Sequence, residues 1–365
     1  MILLLDMDGT LIDDRGYRAA IDATITRFCQ QHRLPVFTPS DDDVAVLHAH
    51  GFSNEWDSVA FLAGVIYAES YRAGEGRPER PDYQMWTRRT AGRPGLPNER
   101  ARDVLLEHGP ADLSGLFCEL LNHVTDVQRS ELTRTFAEFI LGSELFASHY
   151  GLSASLNTPS FLATLDRPLI DGTSLDIIRE HASCIYTARP SLAPDGHPPV
   201  HPPEAEIGLE LLGLDDLPLI ALGQIQWIAD QHGERVYDLT KPAPVQALAA
   251  MLASQGVEPL LSLRAAYHLW KHADGQAGFE CLNGQDVFVA EDNAGGVRAC
   301  HEAARLLRQH GIETRVHGLG VAVATAKREA LAAVCEGVYD SVNHALADCF
   351  RRAIGPQSGA ANRLS

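Results

Sequence analysis

The chain opens Ile2-Leu3-Leu4-Leu5-Asp6-Met7-Asp8-Gly9-Thr10-Leu11, a short apolar strand that runs into two carboxylates spaced i, i+2 and then a glycine. In an extended chain residues i and i+2 lie on one side, so Asp6 and Asp8 can converge on one point just beyond the strand. Gly9 permits a sharp turn that brings peptide groups close to a ligand. Two carboxylates this close repel each other unless a divalent cation or a shared proton takes up the charge. Asp, Gly and Thr are also ordinary turn residues, so a plain turn closing a strand is the alternative reading of this stretch alone. A calcium loop fits less well, because the further acidic ligands it needs are missing downstream.

A buried strand needs a sheet, and the remaining sequence says where that sheet comes from. The chain has 365 residues, long enough for two domains or one large domain with an insertion. From residue 15 to about 177 the apolar positions follow helical spacing: Ile21, Ile25, Phe28 and Cys29, then Val59, Leu62, Val65 and Ile66. Leu113, Leu116, Phe117, Leu120, Leu121 and Val124 form a third stripe, and Leu132, Phe136, Phe139 and Ile140 a fourth. From about residue 178 short apolar runs alternate with amphipathic helices. Strands are expected at Ser183–Tyr186, Leu219–Leu222 and Asp286–Ala290, and helices at Glu204–Leu212, Pro244–Ala253 and Ala294–Gln309. This alternation predicts an α/β fold, a doubly wound parallel sheet built from residues 1–14 and 178–350, with an α-helical domain over 15–177 inserted after the first strand. Two segments read as loops, Gly74–Pro97 and the proline-rich Ala193–Pro203 with His197 and His201, and residues 355–365 read as a disordered tail.

A formal charge of -18 argues against nucleic acid as the main partner. Seven cysteines are scattered without a Cys-x-x-Cys pair, which suits reduced thiols rather than a disulfide framework or a zinc site. The apolar run Ile2–Leu5 is too short for a signal-peptide core, and no stretch approaches membrane-spanning length. The expectation is a soluble cytoplasmic protein that makes no membrane contact; the sequence does not address oligomeric state.

Three further positions carry chemistry. Thr187 follows the strand Cys184-Ile185-Tyr186, where its hydroxyl and the backbone amides at Ala188 and beyond suit a phosphate oxygen, or equally a cap. Lys241 precedes a helix that tolerates proline in its first turn, and there it could neutralise both a phosphoryl group and a carboxylate. Glu291 and Asp292 end a strand and lead through Asn293, Ala294, Gly295 and Gly296 into a helix. Paired acids at the edge of a buried strand are costly unless a cation or hydrogen bonds compensate them, and magnesium favours such carboxylates together with phosphate oxygens.

In this order, the Asp-x-Asp-Gly-Thr-Leu turn, the strand-end Thr187, the Lys241-Pro242 step and the strand-end Glu291-Asp292 resemble the four motifs of the haloacid dehalogenase superfamily. The resemblance implies that Asp6 is a nucleophile accepting a phosphoryl group and that Asp8 is the general acid/base. It implies a phosphate-binding set of Gly9, Thr10, Thr187, Ala188 and Lys241. A magnesium ion would be held by Asp6, the Asp8 backbone carbonyl, and Asp292 with Glu291 directly or through water. An acid at position 8 points to a phosphate ester rather than a carbon-halogen bond. The implied activity is therefore a magnesium-dependent phosphatase acting on a small phosphorylated metabolite. A phosphotransferase or phosphomutase with the same core, and a non-catalytic phosphate-binding module, are the alternatives.

The helical insertion would be the cap that reads the leaving group. Within it Gly51-Phe52-Ser53-Asn54-Glu55-Trp56-Asp57-Ser58 reads as a turn opening a helix, so Asn54, Trp56 and Asp57, with Arg189 of the core, are the specificity candidates. Ser53 or Asn54 could instead be a helix cap, with Trp56 in the core. A cluster of arginines (Arg72, Arg77, Arg80, Arg88, Arg89, Arg93, Arg100 and Arg102) reads either as an anion-attracting surface or as a solvated loop with local ion pairs.

Overall fold

A computed structural model describes residues 1–354 other than 53, 75–78, 199 and 273–277. Ser53, Arg77 and the 355–365 tail therefore lie outside the described residues. The chain divides into two compact units, one formed by Met1–Asp14 with Asp166–Ser365 and the other by Arg15–Leu165.

The first unit is an α/β layer structure. Its strands are β1 (Ile2–Leu5), β2 (Ile12–Asp13), β3 (Arg167–Pro168), β4 (Ala182–Tyr186), β5 (Leu219–Ile220), β6 (Asp286–Glu291), β7 (Arg315–Val321) and β8 (Gly337–Tyr339). Six of them form a parallel sheet in the order β5-β4-β1-β6-β7-β8, with β2 and β3 as a separate antiparallel pair. β1 lies inside the sheet: Leu4 is opposite Cys184 on one side and Val289 on the other. Its four residues are wholly buried, and alternation divides them between two cores. Ile2 and Leu4 join a cluster with the helices Leu222–His232, Pro244–Ala253, Pro259–His272 and Ala294–Gln309. Leu3 and Leu5 join another with the helices Gly172–Glu180, Glu204–Leu212 and Val342–Ile354. Burial of each such side chain contributes about 1.5–3 kcal/mol, so helices covering both faces hold β1 at the sheet centre.

The other unit contains helices and no strand among its described residues. The expected stripes are buried at Ile21, Ile25, Phe28, Cys29, Val59, Leu62, Val65 and Ile66. Two details differ from the sequence reading. The helical unit ends at Leu165 rather than residue 177, because Ile177 and Ile178 of helix Gly172–Glu180 pack on the sheet. The Gly74–Pro97 stretch is not all loop, since Tyr83–Arg88 is a helix capped by Asp82 that buries Tyr83 and Trp86.

Candidate active site

Parallel strands present their carboxyl ends at one edge, and three neighbouring strands deliver the acidic and hydroxyl groups there. Asp6 follows β1, Thr187 follows β4, and Glu291 ends β6 with Asp292 next to it. The backbone then turns sharply: the Met7 carbonyl accepts from the amides of Leu11 and Ile12 at 2.9 Å, and the Gly9 amide donates to the Ile12 carbonyl at 2.9 Å. Gly9 has φ +68, and a Cβ there would stand 2.5 Å from Asp292 Oδ2. Both the left-handed backbone and the close approach of a carboxylate therefore require glycine. Gly296 is constrained by close approach alone, since a Cβ there would overlap Glu291 Oε1 at 1.7 Å.

The carboxylates form one cluster. Asp6, Glu291 and Asp292 each offer an oxygen within 4.8 Å of the others, an all-oxygen donor set that fits a hard divalent cation. Lys241 Nζ lies between two of them, donating to Asp6 Oδ1 at 2.7 Å and to Glu291 Oε1 at 2.6 Å. Its side chain is only 11% exposed and its ammonium stands 3.8 Å above the centre of the Tyr186 ring. Tyr186 Oη also donates to Glu291 Oε1 at 3.2 Å, and the Asn293 amide donates to Glu291 Oε2 at 3.0 Å. Lys327, on the helix Thr325–Ala332 that follows β7, donates to Asp292.

Burial governs the electrostatics. Asp6 has its pKa raised well above the ordinary carboxylate value by desolvation and then by the charge of Glu291, with Lys241 opposing. Desolvation likewise raises Glu291, again against Lys241. For Lys241 desolvation acts downward, yet the attraction of Asp6 and Glu291 outweighs it and the pKa rises, so the ammonium stays charged.

The phosphate-binding candidates occupy different environments. Thr10 is fully buried, and its hydroxyl has no hydrogen-bond partner among the described residues. The Thr187 hydroxyl accepts from the Arg189 amide at 3.2 Å, and the Thr187 carbonyl is held by Gln246 Nε2 at 2.8 Å. Ala188 beside it is exposed. Gln246 thus fixes the end of β4 from the helix behind it.

Arg189, the core specificity candidate, turns its side chain onto two acids. Its side chain is 1% exposed, and it donates from Nε to both Asp8 oxygens at 2.8 and 3.0 Å. A terminal nitrogen reaches Asp8 Oδ1 at 2.5 Å and Asp166 Oδ2 at 3.0 Å. A buried guanidinium requires compensating acids, and here they are Asp8 and Asp166. Asp8 is thereby held in a bidentate grip while its side chain keeps 32% exposure. Asp14 belongs to the same acidic neighbourhood, and burial followed by the charge of Asp8 raises its pKa to about 7.

In the helical unit, the Asn54 side chain accepts from the Trp56 amide at 3.0 Å and caps the helix Glu55–Ala73. Trp56 is buried, edge-on to Phe136 at 5.1 Å. Asp57 is buried as well, and desolvation raises its carboxyl to about 7. The geometry thus gives Asn54 and Trp56 the capping and packing roles. The described arginines of the cluster engage local partners: Arg72 with Glu69, Arg80 with Asp43, Arg93 with Glu107 and Arg102 with Asp103. Arg88 donates to Gln84, Arg89 lies over Trp86, and Arg100 donates to the His50 carbonyl. They do not converge on an anion site; they are dispersed in local pairs. His197 pairs with Asp230 at 3.0 Å, and burial lowers His201 to about 4.

Sequence reasoning missed Tyr186, Asp166, Asp14 and Lys327. Tyr186 immediately precedes Thr187, and the apolar run of β7 before Lys327 was a readable signal; Asp166 and Asp14 carry no local one.

No family model matches the chain, and no curated protein matches it. Among solved structures, an X-ray structure of a Northeast Structural Genomics Consortium target is 11% identical with a TM-score of 0.60, covering 96% of this chain and 98% of that one. The phosphatase Tt82 from Thermococcus thioreducens is 14% identical with a TM-score of 0.45, over 96% and 99% of the two chains. A haloacid dehalogenase-like hydrolase from Streptococcus pneumoniae is 9% identical with a TM-score of 0.35, over 95% and 97%. Only the first of these overlays well enough to bear on the fold. The strand order and this one overlay show an α/β fold with a six-stranded parallel sheet, at whose edge Asp6, Lys241, Glu291 and Asp292 meet.

Proposed function

We propose that the chain is a magnesium-dependent phosphatase of the haloacid dehalogenase superfamily acting on a small phosphorylated metabolite. The observation that carries the proposal is the pairing of Asp6 with Lys241 inside a cluster whose other carboxylates are Glu291 and Asp292. Those oxygens suit magnesium, with the Asp8 backbone carbonyl as a further ligand. When bound there, magnesium supplies positive charge to the phosphoryl oxygens.

The chain's own residues account for the rest. An Asp6 oxygen attacks phosphorus, an O–P bond forms, and the bond to the leaving alkoxide breaks. Lys241 opposes the upward pull of burial and of Glu291 on Asp6, and offers a cation to the phosphoryl oxygens. Thr10 and Thr187 contribute hydroxyls at the same edge, and the buried Thr10 oxygen has a hydrogen bond to gain there. Asp8 gives a proton to the leaving oxygen, then takes one from the water that attacks phosphorus and frees Asp6. Arg189 orients Asp8 for both transfers. Free cysteines throughout support a cytoplasmic placement, and no helix of the described residues is long and apolar enough to cross a membrane.

Phosphate release from p-nitrophenyl phosphate tests the reading. Turnover should require magnesium and vanish in Asp6→Asn, and retained turnover in that variant refutes the nucleophile assignment.

A further inference from the structure

The acidic cluster is attended by three cations of unequal freedom. The Arg189 side chain is almost wholly buried and committed to Asp8 and Asp166. Lys241 is held between Asp6 and Glu291, with the Tyr186 ring against its ammonium. Lys327 is the loose one. It lies in the first turn of the helix Thr325–Ala332, it donates to Asp292 Oδ2, and its side chain keeps 49% exposure. The Asp292 side chain is only 16% exposed, and the oxygen that meets Lys327 is the one packed against the Gly9 backbone, where a Cβ would stand 2.5 Å away. The carboxylate is thus seated by the backbone as well as by the lysine, whereas the lysine has a flexible stem and solvent beside it.

Asp292 is also one of the three carboxylates whose oxygens lie within 4.8 Å of one another, so an ion bound by that set and the Lys327 ammonium would share one carboxylate. Two courses are open when a divalent cation arrives. With the ammonium left in place, a unit charge about 5 Å from a divalent ion weakens its binding by more than about tenfold, even with the screening of bulk water. Giving up a half-exposed ion pair weakens it by at most about fivefold. The second course costs less. We propose that Lys327 is a built-in competitor for the metal: it balances the charge of Asp292, yields that carboxylate to an incoming divalent cation, and so sets the magnesium affinity of the cluster. The inference rests on the magnesium reading above and goes beyond it in how tightly the ion is held. Lys241 cannot take this part, because it is buried and tied to two acids at once. A Lys327 that merely oriented Asp292 for the metal would have the opposite signature, since its loss would loosen a ligand and weaken binding.

The test is calorimetric titration of the full-length chain with magnesium chloride at low ionic strength, where charge effects are least screened. Lys327→Met should bind magnesium about 3- to 10-fold more tightly than wild type. Lys327→Arg, which keeps the charge, should stay near the wild-type value. Lys271→Met removes an equal charge from another half-exposed pair, with Glu234 at 2.6 Å, and should leave the affinity unchanged. Should Lys327→Met fail to fold by circular dichroism, Lys327→Gln gives the same readout. An affinity unchanged or weakened without the Lys327 ammonium overturns the proposal, as does equal tightening in Lys271→Met or in Lys327→Arg. Magnesium binding in none of the chains, Lys327→Met included, refutes the magnesium reading and this inference with it; binding in wild type with no gain in Lys327→Met refutes the competition alone.

Discussion

Replacing Lys241 by methionine removes an ammonium that touches both Asp6 and Glu291 while keeping an apolar stem over Tyr186. The two ion pairs measure 2.7 and 2.6 Å, and the Glu291 side chain is almost wholly buried. Deleting one partner of a buried pair costs about 3–5 kcal/mol, because the remaining charge has no compensation. Here two carboxylates are left facing each other, so the upper end, about 5 kcal/mol, is expected at pH 8 in a chelator. For a unit of this size that lowers Tm by roughly 10–20 °C. The sign with pH follows from the folded-state pKa values. Asp6 and Glu291 are already raised by burial, and loss of Lys241 raises them further. A carboxyl raised on folding binds more protons in the folded state than in the unfolded one. Stability therefore falls as pH climbs from the ordinary carboxylate range through the folded value. The deficit of Lys241→Met should accordingly be small near pH 5 and largest at pH 8. Magnesium at a hundredfold excess over its Kd should return about 2.7 kcal/mol by mass action. Turnover should fall about 100- to 1000-fold even with magnesium present, since a preorganised donor is lost. The assay is thermal denaturation at both pH values, with and without magnesium. A variant as stable as wild type at pH 8 in chelator, or equally weakened at pH 5, refutes the reasoning.

Gly9→Ala should lose nearly all turnover and most magnesium-induced stabilisation, because φ +68 costs a non-glycine residue about 1–2 kcal/mol and the new Cβ would displace Asp292; a magnesium thermal shift equal to wild type would contradict this. Arg189→Met strands Asp8 and the buried Asp166, and should cost about 3–5 kcal/mol in thermal denaturation while lowering kcat more than it changes KM. In the helical unit, Asp57→Asn removes a carboxyl raised to about 7, so wild type should lose stability between pH 4 and pH 7 where the variant does not. The gap between them should grow to at most about 4 kcal/mol at pH 8, read as Tm differences at pH 5 and pH 8.

Much of the site was legible because its residues flank strong local patterns. Asp6 and Asp8 follow an unbroken apolar run, Thr187 and Glu291-Asp292 end two others, and Lys241 stands before a proline-bearing helix start. Helices Glu204–Leu212, Pro244–Ala253 and Ala294–Gln309 have the bounds their periodicity predicts. Arg189 was legible only in part. Its place after Thr187 marked it as part of the site, but which way its side chain turns depends on Asp166, a residue with no sequence signal of its own. Asn54 and Trp56 show the same limit, since a capping asparagine and a recognition asparagine are spelled alike.

The sequence by itself determined that an α/β unit carries an inserted run of helices, and which acids and which lysine end its strands or open its helices. Periodicity and element ends are local properties, set within a few residues by backbone geometry and burial. Only the tertiary structure decided the charge pairing: Lys241 between Asp6 and Glu291, Lys327 on Asp292, Arg189 on Asp8 and Asp166. Those partners lie far apart along the chain and meet because a parallel sheet brings the ends of β1, β4 and β6 to one edge. Burial there makes every unpaired charge costly, so each must find its counter-ion across the fold rather than along the sequence.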